Sequence, residues 1–186
     1  DLAPLREPPA APQVATHNFR FSEDYDLYPS GAKTKYKNNV MAIKLLKQIE
    51  LEKRTATPEE QIILARYVGW GGLANAFSST ASGWENEYQE LKSLLTDVEY
   101  KAAMNSTITA YYTEPDLIRH IYRALERFGF EGGPDRKILD PGMGTGNFYS
   151  VLPEQFQGSK LFGVELDSIT GRIAKQLYPD ADISIT

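Results

Sequence analysis

The chain is predicted to be an α/β protein in which three parallel strands follow a mainly helical region, and three observations carry that expectation. Short apolar runs at 137–139, 160–164 and 183–185 are separated by stretches with helical spacing. Upstream, capping signatures and apolar residues three or four apart recur without strand-like alternation. Between the first two runs lies Asp140-Pro141-Gly142-Met143-Gly144-Thr145-Gly146-Asn147-Phe148, a glycine-rich turn that joins a strand directly to a helix. The order β-α-β-α-β with right-handed crossovers would make half of a doubly wound parallel sheet.

The elements follow in order. Residues 1–15, with Pro4, Pro8, Pro9 and Pro12 and no apolar period, are expected to be a flexible leader, and irregular structure is expected to continue to residue 35. Within it, Asn18 to Gly31 mixes Phe19, Phe21, Tyr25 and Tyr28 with acidic residues, so the aromatics should dock an otherwise irregular segment. From Tyr36 to about Arg54, the positions Val40, Ile43, Leu46 and Ile49 recur at helical spacing with lysines opposite them. Thr57-Pro58-Glu59-Glu60 starts a second helix, with threonine as cap, proline in the first turn and Glu60 reaching back. Gly69 to Gly72 is expected to end it. A third helix is expected over Trp84 to Leu95, and Thr96-Asp97-Val98-Glu99 opens a short fourth, which completes a helical region spanning 36–105.

At Tyr111 the character changes. Tyr112-Thr113-Glu114-Pro115-Asp116 reads as an extended approach to a capped helix carrying Leu117, Ile118, Ile121 and Leu125, closed by Gly129. Gly132-Gly133-Pro134 is a turn. A strand at 137–139, the glycine turn, a helix from about Gly146, a strand at 160–164, a helix from about Ser168 to Tyr178 and a strand at 183–185 complete an α/β region over 106–186.

Composition excludes several function classes. The 186 residues are 41% hydrophobic, enough for a core, and contain no cysteine, which removes disulfides and thiolate metal sites. With His17 and His120 as the only histidines, no metal centre is expected. An intracellular, cytoplasmic setting is the natural expectation. No apolar run reaches the roughly eighteen residues a spanning helix needs, so no membrane partner is expected. Net charge is −5, yet residues 33–66 hold eight Lys/Arg against four Asp/Glu, a local +4 that either tracks phosphates or forms a solvated helix face. The start at Asp1 without methionine, and the stop directly after an apolar alternation, suggest a piece of a longer polypeptide.

Three ligand classes use a strand, a glycine turn and a helix in succession. A phosphate-gripping loop needs Gly-Lys-Ser/Thr at its end, where this chain has Gly146-Asn147-Phe148. A dinucleotide fingerprint needs glycines spaced G-x-G-x-x-G, but counting from Gly142 reaches Asn147 and counting from Gly144 reaches Tyr149. What remains is Asp-Pro-x-x-Gly-x-Gly-x-Phe. A second strand, Leu161-Phe162-Gly163-Val164-Glu165, ends in a carboxylate where an α/β fold usually grips ribose hydroxyls, with Asp167 as a competing candidate.

At these residues the chain resembles the DNA methyltransferases that methylate amino groups using S-adenosyl-L-methionine. The resemblance implies a Rossmann-like S-adenosylmethionine-dependent fold, truncated to three parallel strands. It places Asp140, Pro141, Gly142, Gly144, Gly146 and Phe148 around the methionine end of the cofactor, and Glu165 on its ribose. The adenine-N6 branch carries a Tyr-Thr-Pro-like segment before the helix that precedes the first strand. Tyr112-Thr113-Glu114-Pro115 is similar to it, with Glu114 inserted, which adds Tyr112 and Thr113 to the implied cofactor contacts. The wording of Tyr67-Val68-Gly69-Trp70-Gly71-Gly72-Leu73 and of the glycine turn further resembles the amino-terminal part of large methyltransferase-helicase proteins of conjugative elements and phages. DNA is therefore the implied partner of the full-length protein.

Base methylation in that family uses Asn/Asp/Ser-Pro-Pro-aromatic after a fourth strand, and no such tetrapeptide occurs in these residues. The expectation is a cofactor-binding part with no catalytic residue of its own; the alternative is a non-catalytic module that engages DNA or scaffolds a helicase. The outer edge of the first strand should then be covered by the amino-terminal helices or by a second copy of the chain, a possible homodimer. Trp70 is expected either to plug the core or to stack on a base, and the two histidines to be surface or packing residues.

Overall fold

A computed structural model describes Ala15, residues 17–28 and residues 30–186. The expected leader over residues 1–15 lies, apart from Ala15, outside the described residues. Seven α-helices and three strands occur among the described residues, in the order α1 (Ala32–Leu51), α2 (Pro58–Ala65), α3 (Glu85–Leu94), α4 (Asp97–Ser106), α5 (Pro115–Arg127), β1 (Lys137–Asp140), α6 (Asn147–Ser150), β2 (Lys160–Glu165), α7 (Ser168–Leu177) and β3 (Asp182–Ile185). The strands form one parallel sheet in the order β1-β2-β3, with Ile138 beside Leu161 and Gly163 beside both Asp140 and Ile183.

The helices begin where the chain supplies caps. Thr57 and Glu60 form the expected reciprocal box, in which the Thr57 hydroxyl accepts from the Glu60 N–H and the Glu60 carboxylate accepts from the Thr57 N–H; Thr96 and Glu99 repeat it on α4. α1 starts at Ala32, inside the stretch expected to be irregular, and buries Tyr36, Val40, Ile43, Leu46 and Ile49 on one face. α2 stops at Ala65 rather than at the glycines. The physical reason is Asn39: its side-chain oxygen accepts the Val68 N–H at 2.9 Å, so that amide leaves the helical ladder. The helix expected from about Gly146 is a single turn, closed before Pro153. A 3-10 turn at Ala74–Phe77 was not anticipated.

Helical and α/β regions share one core rather than two. α1 and α2 pack on α7, which lies over β2 and β3. The Gln61 amide donates to the Gln176 carbonyl at 2.9 Å, and the Gln176 side chain accepts the Ala56 N–H at 2.9 Å. Arg172 of α7 pairs with Glu50 of α1 and Glu99 of α4, both at 2.8 Å. The segment before α1 docks as expected: Phe19 is buried and its N–H donates to the Leu177 carbonyl at 2.7 Å.

These contacts leave the β1 edge open. The amino-terminal helices cover α7, not β1, which corrects one of the two expected coverings. Along β1 runs an open groove of about 540 Å³ walled by Tyr122, Leu125, Phe130, Lys137 and Ile138. Leu139, on the sheet face away from Leu161 and Ile183, is 61% exposed. Parallel sheets normally bury both faces, so this face and edge are incomplete among the described residues.

Candidate functional site

The glycine turn is stitched to β2 before any ligand is considered. Asp140 ends β1 half-buried, and burial raises its carboxyl above the usual range while the Gly142 N–H, donating at 3.3 Å, partly offsets that rise. The Met143 N–H donates to the Val164 carbonyl at 3.0 Å, and the Met143 thioether lies on Gly163, where a side chain would collide with it. Gly144 adopts φ +57°, a left-handed backbone that glycine tolerates without strain, and its N–H donates to Glu165 Oε2 at 2.8 Å. Glu165 Oε1 accepts the Asp167 N–H at 2.8 Å. One carboxylate thus ties the loop after β1 to the loop after β2. Asp167 instead caps α7, accepting the Thr170 N–H at 2.8 Å and the Thr170 hydroxyl at 2.6 Å.

Tyr112 joins this loop to the helical region. Its ring lies between two glycines: a Cβ on Gly69 would stand 2.9 Å from one ring edge, and a Cβ on Gly144 would overlap the other. Burial, together with the charges of Glu165 and Asp167, raises the Tyr112 hydroxyl above the ordinary phenol range, only partly opposed by the neighbouring Thr170 side chain. The Gly69 side of this sandwich is held by Asn39, wholly buried on α1, whose side-chain N–H donates to the Gly69 carbonyl at 2.7 Å. Gly71 lies against the Ala110 carbonyl with no room for a Cβ, and the Gly72 N–H donates to the Thr107 carbonyl at 3.0 Å. The Gly69-Trp70-Gly71-Gly72 turn is therefore the joint between the helices and the loop. Trp70 is 1% exposed among Tyr36, Tyr67 and Phe77, which settles its role as a core plug and removes the stacking alternative.

Around Tyr112 opens a cavity of about 550 Å³. Of the residues predicted for the site, Tyr112, Gly142, Gly144 and Glu165 line it. The other five do not. Thr113 uses its carbonyl to accept the Asn147 side-chain amide at 3.0 Å. Asp140 braces the loop through Gly142, and Pro141 is exposed beside it. Gly146, at φ +87°, packs under Tyr178, whose ring occupies the space a Cβ would take. Phe148 lies against Tyr122, which donates its hydroxyl to the Phe148 carbonyl at 2.9 Å. Gly146 and Phe148 are thus turned into packed protein by the left-handed cap and the single-turn helix that follows it.

Asp167, the competing candidate for the ribose hydroxyls, lines the cavity as well, and further wall comes from residues that sequence reasoning missed. Tyr67 follows α2, Asn105 and Ser106 end α4, and Thr109 precedes the Tyr112 segment. No spacing signal marks them, because they meet the glycine loop only through the Gly69–Tyr112 joint. Tyr111, 72% exposed, and Leu166, 83% exposed, flank the opening. Among the described residues, the charged groups lining the cavity are Glu165 and Asp167.

Half of the local basic segment is committed to acidic partners within the protein. Lys33 pairs with Glu87, Lys44 with Glu90, Lys47 with Glu99 and Arg54 with Glu52 and Glu60. Four of its eight cations therefore face acidic side chains of the protein rather than a phosphate track. His17 and His120 are exposed, and no cluster of potential metal ligands occurs among the described residues. No helix among them is long and apolar enough to cross a membrane.

Comparison with known proteins adds one relative. Over 148 residues, 80% of the chain, the sequence is 25% identical to Defense against restriction protein B of Escherichia phage P1, and the match spans 5% of that protein's length. No family model matches the chain, and no solved structure matches it.

Proposed function

We propose that the cavity binds S-adenosyl-L-methionine, and that the chain is the cofactor-binding part of a Rossmann-like, adenine-N6 DNA methyltransferase-like protein acting with a longer polypeptide. The single observation that carries this reading is the Gly144–Glu165 hydrogen bond at the wall of a 550 Å³ cavity. It sets a glycine backbone and a carboxylate side by side, which suits a nucleoside whose ribose hydroxyls need an acceptor and whose amino-acid end needs room above a turn without side chains. Glu165 takes one N–H on each oxygen, which leaves lone pairs for two hydroxyls. Exposed Leu166 and Tyr111 offer apolar surface for a flat base. Among the described residues the charged lining groups are the carboxylates of Glu165 and Asp167, which disfavour phosphorylated nucleotides.

The name of the phage relative fits a role in protecting DNA from restriction, for which base methylation is a direct chemical means. Methyl transfer itself would require residues other than these. The test is titration calorimetry of the chain with S-adenosylmethionine and with NAD and ATP: saturable binding of the first alone is expected, and no heat from it would refute the assignment.

A second reading has its own observation. Because no Asn/Asp-Pro-Pro-aromatic tetrapeptide occurs in the chain, the fold would equally serve a non-catalytic module that engages DNA for an attached helicase. The same titration separates the two, since such a module has no need of the methyl donor.

A further inference from the structure

We infer that the cavity discriminates by charge and holds a cationic nucleoside, the sulfonium form of the methyl donor, more tightly than the neutral thioether left after methyl transfer. The inference rests on the reading of the cavity as a methyl-donor site. Glu165 and Asp167 are its charged lining groups among the described residues, and both are held by neutral donors: the N–H of Gly144 and of Asp167 for the first, the N–H and hydroxyl of Thr170 for the second. Neither carboxylate takes part in an ion pair among the described residues, so both charges are left for a ligand to compensate.

Arg172 of α7 and Lys47 of α1 are committed elsewhere. Arg172, one turn along α7 from Ser168, pairs with Glu50 and Glu99, and Lys47 shares Glu99. The lining also contains Asn105 and Ser106 from the last turn of α4, the end of a helix that favours positive charge. S-adenosylmethionine carries an ammonium, a carboxylate and a sulfonium, a net +1, whereas S-adenosylhomocysteine has lost the sulfonium charge and is net neutral. In a partly enclosed cavity one unit charge several ångströms from a carboxylate is enough to shift affinity by about tenfold. The consequence is functional: the thioether product competes with the cofactor only weakly.

The experiment is calorimetry of the full 186-residue chain with S-adenosylmethionine, S-adenosylhomocysteine and sinefungin, whose amine replaces the sulfonium. Expected is about tenfold tighter binding of the two cationic ligands than of the thioether. Asp167→Asn retains a capping side chain for α7 while removing one charge, and should cut that preference to about threefold. Equal or tighter binding of S-adenosylhomocysteine, with S-adenosylmethionine still bound, overturns the charge inference and leaves the site assignment standing. An Asp167→Asn variant that keeps the full preference also overturns it. If none of the three binds, the site assignment itself fails.

Discussion

The backbone N–H of Gly144 donates to the Glu165 carboxylate at 2.8 Å, so the loop after the first strand and the end of the second are joined through a side chain rather than through the sheet. That arrangement makes Glu165 both a brace and a ligand acceptor. Replacing it with alanine removes both functions, and loss of hydrogen bonds to a charged group is worth about tenfold to a hundredfold in affinity. Glu165→Ala is expected to weaken binding of S-adenosylmethionine by that margin in calorimetry, and binding unchanged from the wild type would contradict the role.

Gly142 and Gly144 are expected to respond differently to alanine. A Cβ at Gly142 meets nothing within 4 Å and points into open space, whereas one at Gly144 meets the Tyr112 ring on a left-handed backbone. Gly142→Ala should change stability by no more than about 0.5 kcal/mol yet lower ligand affinity, because the methyl group enters the cavity. Gly144→Ala should cost about 1–2 kcal/mol from backbone conformation alone, visible as a lower urea midpoint. Equal stability losses in the two variants would contradict this geometry.

Asn39 tests the joint between the two regions. Asn39→Leu leaves the Val68 N–H and the Gly69 carbonyl without their partner, at a cost of about 2–3 kcal/mol for buried polar groups. Denaturant unfolding measures this directly. Since Gly69 holds one edge of the Tyr112 ring, ligand affinity should fall as well, even where the variant remains folded.

Glu99 gives the fold an acid-sensitive clamp between α4, α1 and α7. Burial alone would raise its carboxyl, but the Thr96 N–H, Arg172 and Lys47 outweigh that and bring it to about 2. A carboxylate depressed in the folded state stabilises above its unfolded value, near 4.5, and loses that contribution as pH falls through about 2. Wild-type stability should therefore decline below about pH 4.5 with a contribution missing from Glu99→Gln. The variant keeps a capping side chain at the third helical position and should be less stable near neutral pH by about 2 kcal/mol, the scale of hydrogen bonds to a charged group. Parallel acid profiles for the two proteins would contradict the clamp.

Local chemistry determined much of this molecule from sequence. The Thr57–Glu60 and Thr96–Glu99 boxes, the apolar period of α1, the three strands and the carboxylate that ends β2 are set by residues within one or two turns of each other, so their signals survive in a linear reading. Sequence also located the glycine turn, and four of the residues it nominated line the cavity. Tertiary structure decided which way that turn faces. Gly144 opens toward Tyr112 and Gly146 closes on Tyr178, although both are left-handed glycines two positions apart. It also decided that Asn39 ends a helix 26 residues away from it in sequence, at Ala65, and that α4 supplies one wall of the cavity. Those outcomes depend on which buried polar groups and rings meet after the helices pack on α7, and contacts of that range leave no periodicity along the chain.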